Sequence, residues 1–245
     1  MKTLSLYPLI QLCVLIFIGC SPTQEETTAP SRTAPPLEVP EAAPLTDTTP
    51  TILFLGNSLS AGLGVDLEQA FPALVQEKID SLGWKYRVVN AGLSGETTAG
   101  GLRRIDWLLK QPVEVLVLEL GGNDGLRGIP PEVTRTNLAE IIEKTRTANP
   151  HAEIVLAGMQ VPPNLGQDYT GKFRDLFPAL AHEKDTALIP FLLEGVGGIP
   201  NLNQPDGIHP TARGHEIVAE TVWTTLKPLL EALNARRDAA ARSLP

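Results

Sequence analysis

Residues 51–60 are Thr-Ile-Leu-Phe-Leu-Gly-Asn-Ser-Leu-Ser, an apolar run that passes directly into small polar residues. The run Thr51–Leu55 is rich in branched and aromatic side chains, and Pro50 and Gly56 bound it, which predicts a short buried strand. A serine just beyond such a strand lies at the carboxyl edge of a sheet, where open α/β folds bind ligands. Taken alone, however, small polar residues after a strand more often form an ordinary turn or a helix cap.

Strand-like and helix-like segments alternate after Pro50, and five of each can be recognised. Short apolar runs predict the five strands, at residues 51–55, 86–89, 113–120, 152–158 and 187–191. Apolar residues at helical spacing predict the five helices, at residues 67–82, 97–109, 131–148, 172–184 and 211–233. The third strand is almost continuously aliphatic, as expected for a parallel strand that is covered on both faces. The pattern therefore predicts an α/β fold in which helices cover both faces of a parallel sheet.

Composition argues against one class of partner. The chain has 245 residues and a formal net charge of -8 at pH 7, and it contains no basic stripe. We therefore expect no nucleic-acid binding. No group of His, Cys and Asp residues has metal-ligand spacing, and there is no phosphate-binding loop, so no cofactor is expected.

The first residues have the pattern of a secretion signal, predicted over residues 1–19. Lys2 supplies the positive charge, and the mostly apolar run that follows is too short for a comfortable membrane span. The sequence Phe17-Ile18-Gly19-Cys20 resembles a bacterial lipobox, in which the signal is cut before the cysteine and its thiol is lipidated. Phe17 departs from that pattern, which more often has leucine. A plain secretory signal with a chance cysteine is the alternative.

Residues 20–50 are crowded with Pro, Thr, Glu and Ala and contain almost no large apolar side chains. Such a segment cannot bury enough surface to fold, so we predict a mobile tether between a lipid on Cys20 and a folded domain at residues 51–233. Residues 234–245 are predicted to be a polar, frayed tail. Ser21 resembles the outer-membrane sorting signal of Gram-negative lipoproteins, which predicts a lipid-anchored protein of the bacterial cell envelope on the periplasmic side of the outer membrane. We also expect the protein to be a monomer.

Polar residues follow several of the predicted strands. Ser58 follows the first strand, Gly92 the second and Asn123 the third, while Asp206 and His209 lie before the last helix. Because the carboxyl ends of parallel strands share one edge, these residues can converge on a single crevice.

Ester hydrolysis needs a nucleophile, a base, a group that orients the base, and donors for the oxyanion. We predict Ser58 as the nucleophile, His209 as the base and Asp206 as the acid that orients it. The backbone amides of Ser58 and Gly92, with the Asn123 side chain, are predicted to form the oxyanion hole. The alternative is plain turn chemistry around Asn123 and His209.

Four blocks in this order resemble the SGNH (GDSL) hydrolase family, closest to its bacterial thioesterase I, lysophospholipase L1 and arylesterase branch. The blocks are Gly56–Ser60, Asn90–Gly95, Gly121–Asp124 and Asp206–Pro210. The resemblance implies a three-layer α/β/α flavodoxin-like fold with a five-stranded parallel sheet and a Ser58–His209–Asp206 triad. The family commonly has Asp before the serine, so Asn57 puts the hydrogen bonding of that loop in question.

The resemblance implies a serine esterase that acts on acyl or aryl esters, thioesters or lysophospholipids. Two rivals stay open: a carbohydrate O-deacetylase on the same scaffold, and an inactive ligand-binding lipoprotein. Residues 126–129, 159–166 and 193–199 are predicted to form the pocket walls. Asp124 is interpreted as structural or pocket-lining, and the remaining histidines, His151, His182 and His215, as surface or packing residues.

Overall fold

Five strands form the sheet at the centre of the computed structural model, which describes residues 49–243. They are β1 (Thr51–Gly56), β2 (Arg87–Asn90), β3 (Val115–Glu119), β4 (Glu153–Ala157) and β5 (Ala187–Ile189). All pairs are parallel, and the order across the sheet is β2-β1-β3-β4-β5. This order is that of flavodoxin-like folds, so the predicted fold class is confirmed.

Helices connect the strands and cover the sheet. Within residues 49–243 they are α1 (Ser58–Ala61), α2 (Phe71–Ser81), α3 (Thr98–Leu108), α4 (Gly122–Leu126), α5 (Pro131–Ala148), α6 (Gln167–Glu183) and α7 (Ala212–Arg242). Right-handed crossovers that run in opposite directions along a sheet place their helices on opposite faces. Helix α2 packs against α7, whereas α5 packs against both α3 and α6, so the sheet lies between two helical layers.

The chain changes direction at β1, and this places a crevice at the carboxyl edge of the sheet. The first crossover leads from β1 to β2 on one side, and the next returns past β1 to β3 on the other. Loops that leave the ends of β1 and β3 therefore diverge, which is where open α/β sheets bind ligands. Both strands are buried along their whole length.

Helix α7 corrects one boundary of the sequence analysis, because it continues past Leu233 to Arg242. The end of this helix is held by polar contacts. The Arg237 guanidinium lies 4.5 Å from the centre of the Tyr86 ring and donates to Glu114 Oε1 at 2.7 Å. Such contacts leave no trace in apolar periodicity, whereas the Ala- and Arg-rich composition favours helix. Among the described helices, α7 included, none is both long and apolar enough to cross a membrane.

His215 of α7 lies in the core, with 1% of its surface exposed. Its Nδ1 accepts a hydrogen bond from the Phe71 backbone N–H at 3.3 Å, and the two rings stack. Desolvation, with a smaller contribution from the nearby His209, lowers the pKa of His215 to about 4. The predicted packing role is therefore confirmed for this histidine, while His151 and His182 are exposed as expected.

We predict that His215 makes the domain sensitive to acid. Its pKa lies below the unfolded value of about 6.5, so this contribution is complete above pH 6.5 and is lost as the pH falls towards 4, by about 3 kcal/mol. His215→Gln keeps an acceptor but cannot titrate, so its free energy of unfolding should fall less over this range. Urea unfolding at several pH values measures the slope, with the exposed His182→Gln as control. Equal slopes for wild type and His215→Gln would refute the assignment.

Candidate active site

The turn after β1 carries Ser58 on the first residue of a short helix. Asn57 is the N-cap of α1, and its Oδ1 accepts a hydrogen bond from the Leu59 N–H at 2.9 Å. The sequence analysis assigned no helix to these residues, whereas the structure forms one short helical turn there. Ser58 is largely buried, with 7% of its surface exposed, and it lines an open cavity.

Three of the predicted residues form a continuous hydrogen-bonded chain. Ser58 Oγ lies 2.8 Å from His209 Nε2, and His209 Nδ1 lies 2.7 Å from Asp206 Oδ2. Ser58 precedes His209 by 151 residues, and the fold brings it to the loop that carries both His209 and Asp206. A hydroxyl, an imidazole and a carboxylate in this order can transfer a proton away from the hydroxyl.

Asp206 is held as a carboxylate by backbone donors. Its Oδ1 accepts hydrogen bonds from the N–H groups of Ile208 and His209, each at 3.0 Å. These bonds, followed by the bond to the His209 ring, lower the pKa of Asp206 to about 2. The carboxylate is therefore ionised throughout the pH range in which an imidazole can act as a base.

Gln204 connects the loop that carries His209 to the turn that carries Ser58 (the serine turn). The sequence analysis did not identify this residue. Its Nε2 donates to Leu63 O at 2.6 Å and to Pro210 O at 2.9 Å, while its backbone N–H donates to His209 O. One side chain thus links the loops that carry the hydroxyl and the imidazole. No sequence motif marks such a residue, because its partners are backbone carbonyls.

Asn123 and Gly92, both predicted to donate to the oxyanion, differ in the hydrogen bonds that their N–H groups already make. Asn123 lines the same cavity as Ser58, and its Nδ2 donates to Glu96 O at 3.0 Å, which leaves a second N–H for another acceptor. The Gly92 N–H donates to Asn90 Oδ1 at 3.0 Å.

Packing requires glycine at position 92. A Cβ there would lie 2.3 Å from the Ala61 backbone nitrogen. The loop after β2 therefore packs directly against the serine turn, and Gly92 permits that contact.

A buried acid lies behind Ser58, and the sequence analysis did not assign it a role. Glu119, the last residue of β3, is fully buried and accepts hydrogen bonds from Asn57 and Ser60. Burial raises the pKa of this carboxyl to about 7, although the hydrogen bonds oppose the shift. The sequence signal that could have identified Glu119 is an acidic residue at the end of an otherwise aliphatic strand. This contact also answers the question that Asn57 raised, since its NH₂ group donates to Glu119 and its oxygen accepts from the Leu59 N–H.

Asp124 has a structural role, as one of the two interpretations anticipated. It is fully buried, and its Oδ2 accepts a hydrogen bond from the Thr98 N–H at 2.9 Å, which ties α4 to the start of α3.

The cavity above Ser58 has a volume of about 620 Å³, within the range of small-molecule sites. Ser58, Asn123 and His209 supply polar atoms, and most of the remaining lining is apolar. Each of the three segments predicted as walls contributes, through Leu126, Val161 and Leu193 among others. Within residues 49–243, no group of three or more histidine, cysteine or acidic side chains could hold a metal ion.

Gly92→Ala is predicted to destabilise the domain, because backbone atoms of Ala61 cannot yield as a flexible side chain can. We expect the free energy of unfolding to fall by about 1–3 kcal/mol, the usual cost of overpacking. Gly171→Ala is the control, since that site on α6 is open and alanine there should stabilise the helix by up to about 1 kcal/mol. Urea unfolding measures both, and an unchanged Gly92→Ala protein would contradict the packing described.

Known proteins resemble this chain over most of its folded part. A model of the GDSL-like lipase/acylhydrolase family matches residues 54–217. Esterase TesA of Pseudomonas aeruginosa is 48% identical over 181 residues, which are 74% of this chain and 89% of that protein. Thioesterase 1/protease 1/lysophospholipase L1 of Escherichia coli K12 is 43% identical over 182 residues, with 74% and 85% covered.

The solved structures give the same result for the fold. The crystal structure of TesA superposes with a TM-score of 0.70 and 47% identity, covering 73% of this chain and 99% of that one. The family resemblance drawn from the four sequence blocks is confirmed. The chain belongs to the GDSL-like lipase/acylhydrolase family of ester hydrolases.

Proposed function

We propose that the protein hydrolyses carboxylic esters through an acyl-enzyme on Ser58. The observation that carries the proposal is the chain of hydrogen bonds from Ser58 through His209 to Asp206, with Ser58 and His209 facing an apolar cavity. The similar proteins named an esterase and a thioesterase/lysophospholipase support the same chemistry.

In the acylation step, Ser58 Oγ attacks the carbonyl carbon of the ester while His209 Nε2 accepts the hydroxyl proton. The tetrahedral intermediate carries a negative oxygen, which needs donors that are already in place. The proposed donors are the Ser58 N–H, the second N–H of Asn123 and the Gly92 N–H, which would exchange its hydrogen bond to Asn90 Oδ1 for one to the oxyanion. His209 then gives its proton to the leaving alcohol or thiol, and the acyl group remains on Ser58.

In the deacylation step, a water molecule takes the place of the leaving group. His209 Nε2 accepts a proton from that water as it attacks the acyl carbon, and Ser58 leaves with the proton to regenerate the enzyme. The carboxylate of Asp206 holds the Nδ1–H tautomer and stabilises the imidazolium in both steps. The reaction proposed here uses only water and groups of the chain itself.

The cavity supports acyl chains longer than acetyl. Apolar side chains surround the serine, and a volume of about 620 Å³ leaves room for several methylene groups. Each buried CH₂ contributes about 0.8 kcal/mol to binding, so a longer acyl chain gains affinity until the cavity is full. Fatty acyl esters, thioesters and lysophospholipids are the proposed substrate class.

Ser58→Ala is predicted to abolish hydrolysis of p-nitrophenyl esters from acetate to octanoate, with a loss of at least about 10⁴-fold in kcat. A fluorophosphonate probe should label the wild-type protein and leave the variant unlabelled, because Ser58 is the serine that lies against the imidazole of His209. Ser81→Ala, at an exposed position at the end of α2, is the control and should retain activity and labelling.

Activity in Ser58→Ala at the wild-type level would refute the triad. Wild-type activity confined to acetate would point to a deacetylase instead, and a wild-type protein that the probe does not label would point to a ligand-binding protein.

We also propose that the protein is anchored in the bacterial envelope through a lipid on Cys20, on the periplasmic side of the outer membrane. Residues 20–48 of the tether, Cys20 included, lie outside the described residues, as do the predicted signal and the last two residues of the predicted tail. The support is the lipobox-like sequence at residues 17–20 and the Pro- and Thr-rich composition that follows.

Cys20→Ser is predicted to remove the lipid from the protein expressed in a Gram-negative host. The wild-type protein should incorporate labelled palmitate and enter the detergent phase of Triton X-114, and the variant should do neither. Cys13→Ser is the matched control, because that cysteine lies inside the predicted signal and would be removed with it. Recovery of the wild-type protein in the aqueous phase would overturn the proposal.

A further inference from the structure

Asn57 and Glu119 form an acid–amide pair directly behind the serine turn. Asn57 Nδ2 donates to Glu119 Oε1 at 2.7 Å, and the Asn57 backbone N–H donates to Glu119 Oε2 at 3.0 Å. The orientation of the amide follows from its other contact, because the Leu59 N–H can only donate and therefore requires the amide oxygen. The NH₂ group must then face Glu119.

The Glu119 carboxyl accepts four hydrogen bonds from the residues around it. Besides Asn57, the Ser60 hydroxyl donates to Oε2 at 2.7 Å and the Ser60 N–H at 3.3 Å. The acid can come this close because position 56 is glycine: a Cβ there would lie 2.5 Å from Glu119 Oε2. Residues on both sides of Ser58 are thus tied to a single carboxyl group.

We propose that Glu119 is a positioning residue for the nucleophile, and that its pair with Asn57 sets the place of Ser58 at the start of α1. Glu119 does not line the cavity and acts only through the turn. The inference rests on the proposed role of Ser58 as nucleophile.

Asn57 is the donor in this pair and Glu119 is the acceptor. Exchanging the amide and the acid between the two positions therefore tests the contact. In Glu119→Gln, the new NH₂ group would face the NH₂ group of Asn57, or, with the glutamine amide rotated, the backbone N–H groups of Asn57 and Ser60. A flip of Asn57 would instead turn its NH₂ towards the Leu59 N–H. In Asn57→Asp, two carboxyl oxygens would lie 2.7 Å apart and would need to share a proton. The double variant Asn57→Asp/Glu119→Gln restores one donor opposite one acceptor, and it also keeps an acceptor for Leu59.

The experiment compares wild type, both single variants and the double variant at pH 8. For Glu119→Gln we expect kcat and the rate of fluorophosphonate labelling to fall at least about tenfold with KM unchanged, because Glu119 does not line the cavity. Both single variants should unfold at lower temperature than wild type. The double variant should regain kcat to within about threefold of wild type and recover most of the unfolding temperature. Glu77→Gln, on the exposed side of α2, controls for the loss of a charge.

Wild-type kcat and unfolding temperature in Glu119→Gln would overturn the proposal. The proposal would also be overturned if kcat of the double variant fell by as much as the two single-variant losses multiplied together. If Glu119→Gln does not fold, a folded and active double variant supports the pair, and an unfolded or inactive one refutes it. Failure of the wild-type protein to react with esters or probe would instead refute the role of Ser58, and the unfolding temperatures would still test the pair.

Discussion

The parallel pairing of β1 with β3 is the constraint on which the site depends. Their register sets Gly56 opposite Glu119, so the turn that carries Ser58 begins beside the acid that ends β3. Both strands are buried on both faces, and a shift of one residue would turn Glu119 to the other side of the sheet. The packing of aliphatic side chains therefore determines where the turn that carries Ser58 lies relative to Glu119.

Two carboxyl groups near Ser58 differ in environment, and their proposed roles follow from that difference. Asp206 lies on a partly exposed loop and accepts two backbone hydrogen bonds, which lower its pKa to about 2 and keep it ionised beside His209. Glu119 is enclosed by the core, where desolvation raises its pKa to about 7. The first suits a group that stabilises a positive imidazolium, and the second a group that holds a turn in place.

Glu119 and His215 are both buried, and they change the pH dependence of the free energy of unfolding in opposite directions. Glu119 has a pKa above its unfolded value, so its contribution is lost as the pH rises from about 4.5 to 7. The pKa of His215 lies below its unfolded value, so its contribution is lost as the pH falls from about 6.5 to 4. The two effects overlap between these limits and partly cancel there.

Local sequence determined the fold class and the reactive residues of the candidate site. Alternating apolar runs and helical periodicity were enough for the parallel sheet, because burial imposes those patterns on a strand or a helix. The strand-end blocks were enough to select Ser58, His209 and Asp206, because the carboxyl ends of parallel strands share one edge. The end of α7 was missed, since ion pairs and an Arg–aromatic contact hold it and apolar spacing does not record them.

Only the tertiary structure decided how the reactive residues are supported. Gln204 bridges two loops through backbone carbonyls, Gly92 makes room for the serine turn, and Glu119 meets Asn57 across the pairing of two strands. Each of these contacts joins residues that are distant in the chain, and each depends on angles and separations of a few ångströms. A sequence pattern specifies which groups can react, whereas packing of the whole sheet sets the distances between them.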